Sequence, residues 1–141
     1  MIRILIIEEH DLWRNFMIEE LSSHPDLEVV GAGVPEQLWN LVSADAPDIV
    51  VLDVYSRDGA FHPISTVEAL QRQYPDVKVL IFAGSDSVVF LQELIKRGAR
   101  GYVRKDDHLA VELPDCIRAI AQGGSGYSLK VKKMLGLRDP S

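Results

Sequence analysis

Short apolar runs alternate along this chain with longer segments in which apolar residues recur every three or four positions. The clearest run is Ile-Val-Val-Leu at residues 49–52, which ends at Asp53. Such an uninterrupted run is typical of a strand buried on both faces of a parallel sheet. Similar runs predict five strands in all, at residues 3–7, 27–30, 49–53, 77–82 and 101–104.

The segments that separate these strands have the apolar spacing of helices. In the first of them, Trp13, Phe16, Met17 and Leu21 lie at positions i, i+3, i+4 and i+8, on one helical face. Asp11 precedes this stripe and is a suitable N-cap residue. Five strands that alternate with five helices predict an α/β domain with a doubly wound parallel sheet. We take the flavodoxin-like strand order 2-1-3-4-5 as the hypothesis for this sheet.

The last predicted helix is followed by a change in composition. Pro114 is compatible with that helix only in its first turn, because proline has no backbone N–H to donate. Residues 123–126, Gly-Gly-Ser-Gly, read as a flexible linker, and Lys130, Lys132 and Lys133 follow in a segment too short to fold alone. We therefore predict one domain over residues 1–122 and a linker or tail over residues 123–141.

Composition and charge narrow the class of protein. A chain of 141 residues with 47% hydrophobic and 26% charged residues can bury the core of one globular domain. The net charge of -6 argues against a general nucleic-acid surface on this segment. The single cysteine, Cys116, fits a reducing compartment, and no run approaches the roughly 18 apolar residues of a membrane span. We expect a cytoplasmic protein that does not bind membranes.

Charged residues follow three of the predicted strands. Glu8 and Glu9 follow the first strand, Asp53 ends the third, and Lys105 follows the fifth. In a sheet of the predicted order, the ends of the first and third strands are neighbours at the switch point where such sheets bind ligands. Clustered carboxylates repel each other, and Mg²⁺ prefers their hard oxygen atoms as ligands. An aspartate beside Mg²⁺ and a lysine can accept a phosphoryl group as an aspartyl phosphate.

Three segments resemble the receiver domains of two-component response regulators, and most closely those attached to LuxR-type helix-turn-helix output domains. They are the opening segment 1–10, the strand 47–53 and the segment 98–106, and their spacing also matches. The resemblance runs from about residue 1 to residue 122. It implies that Asp53 is the phosphoacceptor and that Lys105 contacts the phosphoryl group.

The resemblance also implies a metal site, a switch and a set of partners. Glu8, Glu9 and Asp53, with the carbonyl oxygen of Tyr55, would hold Mg²⁺, while Ala83 and Tyr102 occupy the switch positions. The phosphoryl donor would be a histidine kinase, and the chain would form a homodimer or act as a monomer. DNA would be contacted only through an output domain that this chain lacks. Such a domain is no enzyme beyond self-phosphorylation from a small phosphodonor and autodephosphorylation.

The chain departs from the receiver pattern at three places. The acid pair is two glutamates, where receivers carry two aspartates or Glu then Asp, so each added methylene moves a carboxylate by about 1.5 Å. Mg²⁺ demands near-ideal octahedral geometry, and we expect it to bind weakly. Ala83 replaces the usual Ser or Thr, which removes a hydroxyl contact to the phosphoryl group. The loop after Asp53 has an unusual sequence.

These departures leave a second function open. The chain could be an atypical pseudo-receiver that acts as a phosphorylation-independent protein-interaction module. A nucleotide-binding enzyme is disfavoured, since no glycine-rich phosphate loop follows the first strand. The fourth helix carries Val88, Val89 and Phe90 in addition to its inward stripe, which nominates it as a contact surface. The resemblance favours a different contact surface, formed by the first and last helices.

Overall fold

The computed structural model of the chain describes residues 1–53, 62–84 and 87–137. The strands are β1 (Ile2–Ile7), β2 (Leu27–Gly33), β3 (Ile49–Asp53), β4 (Lys78–Ala83), β5 (Gly101–Arg104) and β6 (Gly126–Tyr127). The helices are α1 (Asp11–Ser22), α2 (Leu38–Asp45), α3 (Pro63–Gln73), α4 (Val88–Lys96), α5 (Leu109–Ala121) and α6 (Leu129–Met134), and a 3-10 turn at Pro35–Gln37 precedes α2.

The six strands form one parallel sheet with the order β2-β1-β3-β4-β5-β6. The predicted order of the first five strands is confirmed, and β6 extends the sheet beyond β5. Strand β3 lies inside the sheet between β1 and β4, and all five of its residues are buried. This explains its continuous apolar sequence, since helices cover both of its faces.

Alternate residues of each strand contribute to two separate cores. Helices α1 and α5 cover one face, which we call the α1/α5 side, with Ile4, Ile6, Val51, Phe82, Val103 and Ile117 among its buried residues. Helices α2, α3 and α4 cover the other, the α2–α4 side, with Leu5, Ile7, Leu52, Ala83 and Tyr102 among its buried residues. A side chain's side of the sheet therefore follows from its position in the strand.

Two helix boundaries differ from the predictions. Helix α1 already includes Asp11, so the N-cap residue is His10, and no side chain caps this end. Helix α5 begins at Leu109, which places Pro114 inside the helix and not in its first turn. Pro114 cannot donate a hydrogen bond to the carbonyl oxygen of Ala110, and Ala110 is exposed. The helix therefore tolerates the proline where the freed carbonyl lies near the surface.

The segment after residue 122, which the sequence analysis reads as a linker and tail, is ordered on the sheet as far as the structure describes it. Gly126 pairs with Gly101 across β5 and β6, and Val131 of α6 is fully buried on the α2–α4 side. Gly126 is required by close packing, because a Cβ atom there would collide with the carbonyl oxygen of Cys116. A Cβ atom at Gly101 would collide in turn with the carbonyl oxygen of Gly126. Because both residues are glycines, the backbones of β5, β6 and α5 can pack directly against one another.

Candidate functional site

Three of the predicted site residues converge at the carboxyl ends of β1, β3 and β5. Ile7 of β1 pairs with Leu52 of β3, so the next residue of each segment, Glu8 or Asp53, lies at the same level of the sheet. Strand alternation directs both side chains, and that of Lys105, to the α1/α5 side. Glu8 is 0% exposed and Asp53 is 1% exposed. Two carboxylates are thus withdrawn from water at one point of the sheet.

Lys105 supplies the positive charge at this point. Its Nζ atom lies 3.3 Å from Oε1 of Glu8 and 3.7 Å from Oδ1 of Asp53. The Lys105 side chain is only 16% exposed, so these attractions act in a medium of lower dielectric constant than water. The backbone N–H of Lys105 donates to the carbonyl oxygen of Ala83 over 2.8 Å, which fixes the residue to the end of β4.

His10 of the β1–α1 connection and Arg14 of α1 hold Glu8 in place. The Arg14 guanidinium donates to the backbone carbonyl oxygen of Glu8 over 2.7 Å. The backbone N–H of His10 donates to Oε2 of Glu8 over 3.4 Å, and Nδ1 of His10 lies 3.7 Å from the same oxygen. The Glu8 carboxylate is therefore fixed at both oxygens, by His10 on one side and by Lys105 on the other.

The side chains able to share a metal ion differ from the predicted set. Ligand atoms of Glu8, His10 and Asp53 all lie within 4.8 Å of one another, whereas Glu9 is not among the described residues that converge there. Glu9 lies beyond the end of β1 at Ile7, in the turn that leads to α1, so strand alternation does not fix its direction. Tyr55, whose carbonyl oxygen is the other predicted ligand, lies outside the described residues. His10 lies two residues after Glu8 in the sequence, and this proximity is the signal that could have identified it as a candidate metal ligand.

Two aromatic rings adjoin the Lys105 ammonium. Its Nζ atom lies 5.5 Å from the centre of the Trp13 ring and 5.6 Å from the centre of the Phe82 ring. The two rings contact each other edge to face, with centroids 5.6 Å apart and an angle of 68°. The apolar spacing of the sequence predicts Trp13 only as part of the inward stripe of α1 and Phe82 only as a residue of β4. Both rings lie on the α1/α5 side, where the carboxylates also lie.

The predicted switch residues lie on the opposite side of the sheet. Ala83 is 0% exposed and Tyr102 is 1% exposed, and both belong to the core under α4. Strands β4 and β5 pair so that Ile81 is opposite Tyr102. The carbonyl oxygen of Tyr102 accepts a hydrogen bond from the backbone N–H of Ser128 over 3.2 Å. Tyr102 is therefore held inward, beside the residues that lead into α6.

Cys116 has no reactive character. It is buried in the core between α5 and the sheet, and burial raises the pKa of its thiol to about 12. At neutral pH almost none of it is thiolate, which is the nucleophilic form. Cys116, the single cysteine of the sequence, therefore packs as a small apolar residue.

Comparisons with known proteins agree with this architecture. Residues 4–127 match the family of response regulator receiver domains. The transcriptional regulatory protein DegU of Brevibacillus brevis is 34% identical over 134 residues, covering 92% of this chain and 54% of DegU. The nitrate/nitrite response regulator protein NarL of Escherichia coli K12 is 29% identical over 124 residues, covering 87% of this chain and 55% of NarL.

Solved structures show the same fold. A two-component response regulator of the LuxR family from Aurantimonas superimposes with a TM-score of 0.86 at 24% identity, over 95% of this chain and 94% of that one. No helix among the described residues is long and apolar enough to span a membrane. The chain spans about half the length of the curated relatives described above. The family match extends over most of its residues, and the chain belongs to the response regulator receiver domains.

Proposed function

We propose that this domain accepts a phosphoryl group on Asp53 from a histidine kinase or a small phosphodonor in the cytoplasm. The observation that carries the proposal is the buried cluster itself, in which Asp53 is 1% exposed and Lys105 lies 3.7 Å away. A buried carboxylate beside a lysine at the carboxyl end of a central parallel strand is placed where α/β sheets bind ligands. A purely structural aspartate gains little from burial beside a second carboxylate, Glu8.

The proposed reaction is a direct displacement at phosphorus. A carboxylate oxygen of Asp53 forms the new O–P bond while the bond from phosphorus to the donor breaks. The bonding electron pair leaves with the donor, which is a kinase histidine nitrogen or the acetate oxygen of acetyl phosphate. Lys105 neutralises charge on the phosphoryl oxygens, since positioning and charge compensation supply most of the catalysis in phosphoryl transfer. Water later attacks the aspartyl phosphate and releases inorganic phosphate.

The donor set at this point fits a divalent cation. Glu8 and Asp53 offer carboxylate oxygens and His10 offers a ring nitrogen, all within 4.8 Å of one another. A bound Mg²⁺ would compensate the charge of the phosphoryl oxygens. Lys105 already lies 3.3 Å from Glu8 and competes for the same oxygen. Mg²⁺ is therefore expected to bind weakly, in roughly the millimolar range, and to be held mainly by Asp53 and Glu8.

Replacing Asp53 with Asn tests the proposal. After incubation with acetyl phosphate and Mg²⁺, intact-mass spectrometry should show one added phosphoryl group on the native chain and none on Asp53→Asn. The matched control is Asp76→Asn, which removes an exposed carboxylate in the turn before β4 and should leave the modification unchanged. Chelation of Mg²⁺ should lower the modified fraction. An unmodified native chain would contradict the proposal.

A second function is favoured by one observation at the switch. Ala83 is fully buried and offers no hydroxyl that could contact a phosphoryl group. A domain that has lost this contact can serve as a protein-interaction module whose contacts do not depend on phosphorylation. The same mass measurement distinguishes the two functions, because this second one requires no modification at Asp53.

We further propose that the domain controls an output that lies outside this chain. The curated relatives extend well beyond the matched half, and DegU is named as a transcriptional regulatory protein. By analogy, this domain controls transcription through conformation or dimerisation, and DNA is contacted only by an output domain. The net charge of -6 supports that division of labour, because an acidic domain repels the phosphate backbone.

Dimerisation of the receiver would use an exposed apolar surface. On α4, Val89 is 76% exposed, whereas Phe90 packs partly against the core and is a poor probe of association. We expect Val89→Asp to weaken self-association in sedimentation equilibrium, because a charge at the centre of an apolar contact is desolvated on binding. If Val89→Asp associates normally and Leu12→Asp does not, the contact surface lies on α1, where Leu12 is 81% exposed.

A further inference from the structure

The Lys105 ammonium is enclosed by two kinds of group that attract it from different directions. The carboxylates of Glu8 and Asp53 lie 3.3 and 3.7 Å away, and the rings of Trp13 and Phe82 are centred 5.5 and 5.6 Å away. The negative face of an aromatic ring attracts a cation within about 6 Å of its centre, most strongly for Trp. Both rings lie inside that range.

We propose that Trp13 and Phe82 form an aromatic clamp that positions Lys105 for contact with the phosphoryl group on Asp53. The inference rests on the proposed function and adds two positioning residues to it, neither of which touches the reacting atoms. The lysine ammonium is a point charge on a flexible four-carbon side chain, and it lacks the planar guanidinium group that orients arginine. The two rings restrict the ammonium to the position from which it reaches the carboxylates.

The surroundings of Trp13 favour this role over simple packing of α1. Trp13 contacts Phe16 edge to face on its other side, with ring centroids 6.2 Å apart at 89°. Phe82 pairs with Val103 in the sheet and is fully buried, so its ring is held by β4 and β5 together. Phe82 is therefore held by neighbours other than Lys105, and the Trp13 ring contacts the rings of Phe16 and Phe82. A fixed ring can orient a mobile side chain, whereas two mobile groups cannot orient each other.

The clamp matters more in this domain because Ala83 carries no hydroxyl. Lys105 is a described side chain that carries a donor and already lies close to Asp53, with its Nζ atom 3.7 Å from Oδ1. Its position sets how well charge on the transferred group is neutralised, and small displacements of a charged group change transfer rates strongly. The chain has a large aromatic residue, Trp13, on the helix that packs beside Lys105, with its ring centre 5.5 Å from the Nζ atom.

The experiment compares Trp13→Phe with Trp13→Leu in the full chain. The phosphorylation rate with acetyl phosphate and Mg²⁺ should fall about tenfold in Trp13→Leu and stay within about threefold of native in Trp13→Phe. Leucine fills the core but has no aromatic face, and phenylalanine keeps the face. Equal losses in the two variants would show that side-chain size, and not the ring, is responsible, and the clamp would be refuted.

A second measurement keeps the clamp separate from the proposed function. The Nζ atom of Lys105 lies over both rings, so we expect ring currents to shift the NMR resonance of the adjacent methylene protons. This shift should persist in Trp13→Phe and shrink in Trp13→Leu and in Phe82→Leu, in the absence of any phosphodonor. An unchanged shift in both leucine variants overturns the clamp. If the native chain shows the expected ring-current shifts but is not phosphorylated, the clamp stands and only the proposed phosphoryl acceptance is refuted.

Discussion

Val131→Asp should unfold or severely destabilise the whole domain, although residue 131 lies beyond the segment in which the sequence predicts a fold. Val131 is fully buried in the same core as Tyr102, Leu91 and Leu94. Removing a buried valine side chain forfeits about 1.5–3 kcal/mol of apolar burial. A carboxylate in its place adds a desolvation penalty of several kcal/mol. Their sum is comparable with the stability of a typical domain, about 5–15 kcal/mol.

Urea unfolding followed by circular dichroism measures this effect. The matched control is Lys133→Asp, which places the same side chain at an exposed position of α6. Its cost should stay within about 1 kcal/mol, which is the range of a charge at a helix end. Truncation after Ser125 should also lower the midpoint, because it removes β6 and α6 together. Native-like unfolding of Val131→Asp would mean that residues 126–134 do not stabilise the domain.

The linker prediction fails for a physical reason that one sequence could not reveal. Glycines and serine between a helix and a lysine cluster are the usual composition of a flexible connection. At Gly126 the glycine instead allows β6 to approach β5 and α5, as the blocked Cβ position shows. Local composition cannot separate the two uses of glycine, because both require the absence of a side chain. A two-residue strand also has too little alternation to be predicted.

The central strands were predictable because burial on both faces leaves an uninterrupted apolar run in the sequence. The run at residues 49–53 matches β3 residue for residue, since its four apolar positions all lie in the interior. The site followed from the strand ends, and strand alternation alone brings Glu8, Asp53 and Lys105 together. Where Glu9 and His10 lie depends on the turn after β1, whose path the sequence does not specify. The convergence of His10 with the carboxylates therefore needed the three-dimensional structure.

The contact of Trp13 and Phe82 with Lys105 also could not be predicted from the sequence. An aromatic residue in an amphipathic stripe predicts burial, and both rings are indeed packed in the core on the α1/α5 side. Their approach to Lys105 depends on how far α1 is shifted along the sheet. Met17 and Leu21 of α1 are fully buried against the sheet, but a pattern of apolar positions does not encode how far the helix is shifted along it.

Ala83→Thr should enlarge the structural response of this domain to beryllofluoride, which mimics an aspartyl phosphate. The added hydroxyl would give the phosphoryl analogue a hydrogen bond that the native chain lacks. A hydrogen bond to a charged group contributes roughly 1.5–3 kcal/mol, which shifts a two-state equilibrium about 10- to 150-fold. A complete swing from 1:99 to 99:1 requires about 5.5 kcal/mol. The native response should therefore be partial, and the variant's response clearly larger.

The control for this variant is Ala83→Val, which has the shape of Thr without the hydroxyl. Ala83 is 0% exposed, so either larger side chain strains the core around Tyr102, at a cost of about 1–3 kcal/mol. Amide chemical shifts along α4 and at Tyr102, recorded with and without beryllofluoride, separate this strain from the hydrogen bond. We expect the change to be largest in Ala83→Thr and similar in the native chain and Ala83→Val. If the native chain responds as strongly as Ala83→Thr, the hydroxyl is dispensable and another group couples Asp53 to Tyr102.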